Sequence, residues 1–295
     1  MRVLVTGSSG FSGSYIAGTL AGAGHEVTGL FRRETAFLAR LRASAVRLLQ
    51  SDLTRAAALP GPFEAVVHIG ATSPAPGVTA AAIVRDNVAG TSALLDAAAG
   101  WGCRAFVFFS SLSLYGEISR SVVDEACPVV NPDVYGATKL IGEMLLAERA
   151  QMMPALALRL PGVVGPGAHR NWLSGVAAAL MAGEKVRAFH LDSQFNNAAH
   201  VEDIARLVQL VLQRGWTGFG SVVLGARGTM TVRAAIERLA HGLGRPARIE
   251  AVPASKPSFI LSSTHAIDRW GYDPMQIDAL IDRYACETAN ADSGR

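Results

Sequence analysis

Lysine is nearly missing from this chain: of its 27 basic residues only Lys139, Lys185 and Lys256 are lysines, and arginine supplies the rest. Cysteine is equally sparse. Cys103, Cys127 and Cys286 are odd in number and widely spaced, which fits neither a Cys-x-x-Cys metal pair nor a disulfide framework, so reduced thiols and no metal site are expected. No window approaches the roughly 18 uninterrupted apolar residues of a membrane span, and the run Met1 to Gly7 is too short for a signal peptide. A soluble, cytoplasmic protein without a membrane partner is the expectation. An excess of one charge is also lacking: the net charge is +3, and no basic cluster interleaved with aromatics occurs. That argues against nucleic acid as a partner and suits a small anionic ligand.

What is present is a rhythm. Short apolar or β-branched runs (Val3 to Val5, Val27 to Phe31, Val46 to Leu49, Ala65 to Ile69, Ala105 to Phe109, Ala155 to Leu160) alternate with helical stretches at Gly13 to Ala23, Thr35 to Arg42, Ala80 to Ala99 and Val134 to Ala150. Each helical stretch is long enough to cross a sheet face, which predicts βαβ units and a doubly wound parallel sheet of Rossmann type. The turn-rich Pro161-Gly162-Val163-Val164-Gly165-Pro166-Gly167 breaks the pattern. Residues 1–165 are therefore assigned to the nucleotide-binding domain, with 201–225 returning to it, and 166–200 with 226–295 to a smaller substrate lobe.

Chemistry gathers at the carboxyl ends of the strands. Gly7, Gly10, Phe11, Ser12 and Gly13 follow the first strand and open a helix, a turn whose backbone N–H groups can meet a pyrophosphate. At the second strand's end, where an acid would bond the ribose of NAD, stands Phe31, followed by Arg32 and Arg33. Two guanidiniums there can pair with a 2′-phosphate and argue for NADP, with NAD as the alternative. They could equally begin a solvated helix. Asp52 could accept from an adenine amino group while Leu53 covers the ring, and a turn cap would explain Asp52 as well. His68 reads as a packed strand residue rather than a ligand, and the small residues after it, Ala71 included, leave a cofactor room. Pro161, after the sixth strand, is placed with them as a cofactor contact.

Tyr135 and Lys139 stand four residues apart. With five tyrosines and three lysines in 295 residues, chance would give such a pair only roughly 0.05 times per chain. On a helix both side chains share a face, so an ammonium sits beside a phenol and favours its ionisation, bringing it toward acid/base strength. Ser111, at the end of the fifth strand, can hold a substrate oxygen next to that phenol, or simply serve strand-end turn chemistry.

With these residues in place the chain resembles an extended short-chain dehydrogenase/reductase of the NAD-dependent epimerase/dehydratase family. The resemblance runs over nearly the whole chain: Thr6 to Gly13, Asp52-Leu53, Asn87 to Thr91, Ser111 with Tyr135 and Lys139, Arg159, Gly165-Pro166, His200 to Asp203 and Trp270 to Tyr272. It implies a catalytic triad, with Tyr135 as acid/base, Lys139 on the nicotinamide ribose and Ser111 orienting substrate. It also implies a nucleotide-sugar substrate and a homodimer. Departures bear on subclass. Leu112-Ser113 replace the Asp-Glu of sugar-nucleotide dehydratases, which disfavours dehydration and leaves 4-epimerisation or 4-keto reduction. Two family anchors for a diphosphate are replaced by Gly162 and Asn196, while Lys256-Pro257 resembles a third. Ser111, Tyr135, Asn171, Asn196 and Lys256 are the substrate-binding candidates, and Tyr135 and Lys139 also count among the cofactor contacts. A reductase of a non-nucleotide carbonyl compound and a non-catalytic NADP-binding sensor are the alternatives.

Overall fold

The computed structural model describes residues 1–293. Its first half alternates strand and helix: β1 (Arg2–Thr6), α1 (Phe11–Gly22), β2 (Glu26–Phe31), α2 (Phe37–Arg42), β3 (Arg47–Gln50), a 3₁₀ turn (Leu53–Ala58), β4 (Ala65–His68), α3 (Ala80–Val84), a π-helical turn (Arg85–Ala89), α4 (Gly90–Gly100), β5 (Ala105–Ser111), a second 3₁₀ turn (Leu112–Tyr115), β6 (Val122–Val123), α5 (Val134–Glu148) and β7 (Ala155–Leu160). The rest comprises β8 (Gly162–Val164), α6 (Trp172–Met181), β9 (Val186–Ala188), β10 (Gln194–Phe195), β11 (Ala198–His200), α7 (Val201–Arg214), β12 (Phe219–Val223), β13 (Met230–Thr231), α8 (Val232–Gly242), β14 (Ile249–Ala251), β15 (Ile260–Leu261), α9 (Thr264–Trp270) and α10 (Ile277–Ser293).

Two compact units emerge. The first contains residues 1–117, 128–159 and 205–222; the second contains 118–127, 160–204 and, of the described residues, 223–293. The first is built on a seven-stranded sheet of order β12-β7-β5-β4-β1-β2-β3, with parallel ladders joining β3, β2, β1, β4 and β5. Order reverses at β1, the position where a doubly wound sheet opens a ligand crevice at its carboxyl ends. Val3, Leu4 and Val5 are wholly buried, as are Val66 and Val67. A strand covered on both faces has no polar side to present, which explains the continuous apolar runs. Leu94, Leu95 and Ala98 of α4 and Leu146 of α5 pack with Phe106 and Phe108 of β5 to form the core.

The long helical stretch expected over Ala80 to Ala99 is interrupted. Its π-helical turn holds Asn87, which is 5% exposed and whose amide accepts from the Thr72 N–H (2.7 Å) and donates to the Thr72 carbonyl (3.1 Å) and the Thr138 hydroxyl (3.0 Å). These tertiary bonds hold the wider turn, an irregularity common at functional sites.

Among the described residues the sheets of the second unit pair two- and three-residue strands: β8 with β11, β9 with β14, β10 with β13 and β6 with β15. Its core is helical, with Leu173 and Leu180 of α6, Ile236 and Leu239 of α8, and Leu280 and Ile281 of α10 buried together. No helix among the described residues is long and apolar enough to cross a membrane.

Candidate active site

The turn after β1 is shaped by two glycines that no other residue could replace. Gly7 has φ of +72°, and a Cβ there would lie 2.7 Å from the Gly70 nitrogen; a Cβ on Gly13 would lie 2.1 Å from the Gly7 carbonyl oxygen. Gly10 is the N-cap of α1, with no side-chain cap and no acidic residue in the first turn. The helix therefore offers N–H groups and the positive end of its dipole to an anion. Phe11 is buried against Phe37, and Ser8 turns inward to donate to the Val5 carbonyl (2.9 Å). The cradle fits a pyrophosphate.

Arg32 leaves the end of β2 but is not a free cation. Its guanidinium donates to Asp86 Oδ2 at 2.7 Å and to the Thr72 hydroxyl at 3.3 Å, and lies 3.7 Å from Asp52 Oδ2. Burial opposes ionisation of Asp86, yet bonds from Arg32, Thr72 and Arg85 hold its carboxyl down at about 2. Arg32 thus sits among carboxylates that would repel a 2′-phosphate, and Asp86 is a residue that sequence reasoning missed. Asp52 caps the first 3₁₀ turn by accepting from the Thr54 N–H (2.9 Å) and hydroxyl (2.8 Å), the ordinary role allowed for it. Leu53 packs against Gly90, whose Cβ would stand 3.0 Å from that of Leu53. Ala71 is exposed just beyond β4.

Tyr135 occupies the first turn of α5, fixed by Asp133, whose carboxylate accepts from the Gly136 N–H at 2.7 Å. Gly136 presses on the 3₁₀ turn after β5, where a Cβ would lie 2.1 Å from the Ser113 carbonyl oxygen. That turn is capped by Ser111, which accepts from the Ser113 N–H and donates to the Ser113 hydroxyl, both at 3.1 Å. Lys139 is only 3% exposed; its ammonium donates to the Phe109 carbonyl (2.7 Å) and stands 5.6 Å from the Tyr135 ring centre and 4.8 Å from that of Phe108. Burial pulls Lys139 down to about 7, with Glu143 opposing.

The phenol departs from expectation. Burial pushes Tyr135 above its ordinary range, with a Ser73 bond opposing and Asp133 adding to the rise. Spacing points to a phenol drawn toward ionisation by Lys139, whereas in the fold removal of water from the Tyr135 hydroxyl dominates.

One turn beyond Lys139 on the same face, Glu143 is 4% exposed. It accepts from the Ser110 hydroxyl (2.6 Å) and from Arg159 Nε (3.1 Å) and Nη2 (2.7 Å), while Arg159 Nη1 donates to the Tyr115 hydroxyl (2.8 Å). This buried network braces β5, β7 and α5 behind Lys139. Its signal was legible as Glu143 at four residues from Lys139.

Of the substrate-binding candidates, Ser111 and Tyr135 lie in the first unit, and Asn171, Asn196 and Lys256 belong to the second, as does Pro161 between β7 and β8. Asn196 corrects an expectation. It is 4% exposed, its amide oxygen accepts from the Leu261 N–H (2.8 Å), and its nitrogen donates to the Leu261 carbonyl (2.8 Å) and the Ala226 carbonyl (3.4 Å). An amide so engaged is a backbone clamp, not a free substrate contact. Asn171 is similarly occupied, capping α6 by accepting from the Ser174 N–H (2.9 Å) and donating to the Val163 carbonyl (2.9 Å). Lys256 is exposed, and its carbonyl accepts from His190 (2.7 Å).

A parallel sheet that reverses order at β1, with a glycine turn feeding α1 there, defines a Rossmann-type dinucleotide-binding protein. The chain belongs to the NAD dependent epimerase/dehydratase family, whose sequence model matches residues 3–225, and is thus an enzyme of the extended short-chain dehydrogenase/reductase type. It is 27% identical to the UDP-glucose 4-epimerase of Corynebacterium glutamicum over 94% of this chain and 92% of that protein. It is also 27% identical to a dTDP-4-dehydro-6-deoxy-D-allose reductase of a Streptomyces species, over 96% and 94%. Among solved structures, a UDP-glucose-4-epimerase from Stenotrophomonas maltophila with bound NAD and formylated UDP-arabinopyranose superposes with a TM-score of 0.84 at 25% identity, over 100% of this chain and 99% of that one.

Proposed function

We propose that this enzyme moves hydride to or from a secondary alcohol or ketone carbon of a nucleotide sugar, as a 4-epimerase or 4-ketoreductase. The observation that carries the reading is the buried Lys139 ammonium, held on the Phe109 carbonyl beside the Tyr135 ring. A charge that burial disfavours is retained where it can act on a phenol. Bound nicotinamide supplies the hydride donor or acceptor. Tyr135 gives its proton to the developing alkoxide in reduction, and the phenolate takes it back in oxidation. Lys139 stabilises that phenolate, and Ser111, at the head of its turn, orients the substrate oxygen. Dehydration is disfavoured, because Leu112 and Ser113 offer no carboxyl group for the acid and base that elimination requires.

NAD is the form favoured at the adenosine ribose. The carboxylates of Asp86 and Asp52 surround Arg32, which leaves Arg33 alone to meet the 2′-phosphate of NADP. Tighter binding of NADPH than NADH would refute this preference. A homodimer is proposed through α3 and α5, whose Val84, Ile141 and Met144 are 45%, 38% and 63% exposed.

One observation favours a second reading. The Asn196 clamp provides no charge where the family places a diphosphate anchor, so a smaller, non-nucleotide carbonyl compound is the alternative substrate. Turnover measured against UDP-, GDP- and dTDP-sugars beside simple ketones and aldehydes separates the two. Activity on simple carbonyl compounds alone would sink the nucleotide-sugar assignment.

A further inference from the structure

His68 is 1% exposed at the end of β4, is enclosed by Phe106 and Phe108 (ring centres 6.1 and 5.5 Å away), and takes no part in the chemistry above. Both its ring nitrogens are nevertheless engaged. Nδ1 lies 2.7 Å from the Thr6 hydroxyl and Nε2 lies 2.9 Å from the Thr91 hydroxyl. The Thr6 oxygen has two further partners, the N–H groups of Ile69 (3.1 Å) and Gly70 (3.0 Å).

A hydroxyl has two acceptor lone pairs and one proton to donate. The Ile69 and Gly70 N–H groups fill both lone pairs of Thr6, so its proton can go only to His68 Nδ1. Nδ1 is therefore an acceptor, and the imidazole proton resides on Nε2, which donates to Thr91. A protonated imidazole would present an N–H to an oxygen that already accepts two, and would strand the Thr6 proton. Burial, together with the charge of Lys139, works in the same direction and holds the imidazole down at about 3.

The consequence reaches the glycine turn. Thr6 immediately precedes Gly7, and Gly7 lies against Gly70 so closely that a Cβ would be 2.8 Å from the Gly70 Cα. We propose that His68 is a positioning residue, a permanently neutral, Nε2-protonated imidazole that orients the Thr6 hydroxyl and thereby fixes the β4 exit against the turn that receives the dinucleotide. The role rests on the dinucleotide reading, whereas the tautomer does not.

Two measurements on the full chain test it. In nucleotide-free protein with ¹⁵N-labelled histidine, the His68 resonances, identified by their loss in His68→Asn, should show an unprotonated Nδ1 and a protonated Nε2, unchanged between about pH 6 and 8. A proton on Nδ1, or titration within that range, overturns the proposal. In NAD titrations followed by fluorescence, His68→Leu should raise Kd at least about tenfold, and Thr6→Val should raise it further because it also strands the Ile69 and Gly70 N–H groups. The double variant should lose less affinity than the two single losses added together, since both remove the Thr6–His68 bond. His68→Asn places an amide oxygen near the former Nδ1 and should retain nearly wild-type affinity, and Thr6→Val should keep nearly wild-type kcat at saturating dinucleotide. Should His68→Leu fail to fold, Thr6→Val and His68→Asn decide the matter. Wild-type affinity in Thr6→Val overturns the lock alone. Failure of the wild type to bind any nicotinamide dinucleotide overturns the cofactor reading and this role with it.

Discussion

Lys139→Met exchanges a buried charge for an apolar side chain of similar length, and its effect on stability can be worked out in advance. The ammonium titrates at about 7 in the folded protein against 10.5 when exposed. Between those values the unfolded chain holds a proton that the folded chain has released, so stability rises with pH across this window. Integrating from about pH 7 to about pH 9, where the folded state goes from half to fully deprotonated, gives roughly 2 kcal/mol of added stability. The variant lacks that gain. Cys103, which burial pushes up to about 12, acts in the opposite sense above its ordinary value of 9.0, but it is common to both proteins and cancels in their difference. Urea unfolding of both proteins at the two pH values measures the quantity directly. The wild type should gain on Lys139→Met by roughly 2 kcal/mol as pH rises, while the variant loses turnover at both. A stability difference that does not change with pH, or that moves the other way, would refute the claim that burial disfavours the Lys139 ammonium.

Other substitutions probe the supports of the site. Glu143→Gln leaves Arg159 buried without its carboxylate and should cost about 3–5 kcal/mol in urea unfolding; a loss below about 1 kcal/mol would place the pair among weakly contributing surface bridges. Gly13→Ala forces a Cβ onto the Gly7 carbonyl, so NAD affinity should fall at least roughly tenfold by fluorescence titration, and retained affinity would contradict the cradle. Asn196→Ala should lower stability by about 1–3 kcal/mol, since it strands buried backbone groups of Leu261, while a raised KM with unchanged stability would restore Asn196 as a substrate contact.

Much of the first unit was legible because its instructions are local. Val3 to Val5 and Ala155 to Leu160 announce buried strands by continuous apolar character, and Tyr135 and Lys139 meet because a helix brings residues four apart together. What escaped depends on partners distant in sequence. Arg32 looks available to a 2′-phosphate in the sequence because its partner Asp86 lies 54 residues away. Asn196 read as a ligand contact because Leu261, 65 residues on, carries no mark of the clamp. The π-helical turn hid inside an alanine-rich stretch whose periodicity is compatible with an unbroken helix, and its cause is the reach of Asn87 to Thr72 and Thr138. Two-residue pairings such as Val122 with Ile260 are too short to leave a sequence pattern. The rise of the Tyr135 phenol was missed for a related reason: spacing reveals a neighbouring charge but not how much water has been removed.

The central claim is that Tyr135 moves the proton while other residues hold the cofactor. It is tested most directly by following the absorbance of reduced nicotinamide in a single turnover with UDP-glucose, for the wild type and for Tyr135→Phe, alongside the NAD affinity of each. The account requires equal NAD affinity and a hydride-transfer rate lower by at least about 100-fold in the variant. A variant that transfers hydride at the wild-type rate would contradict it.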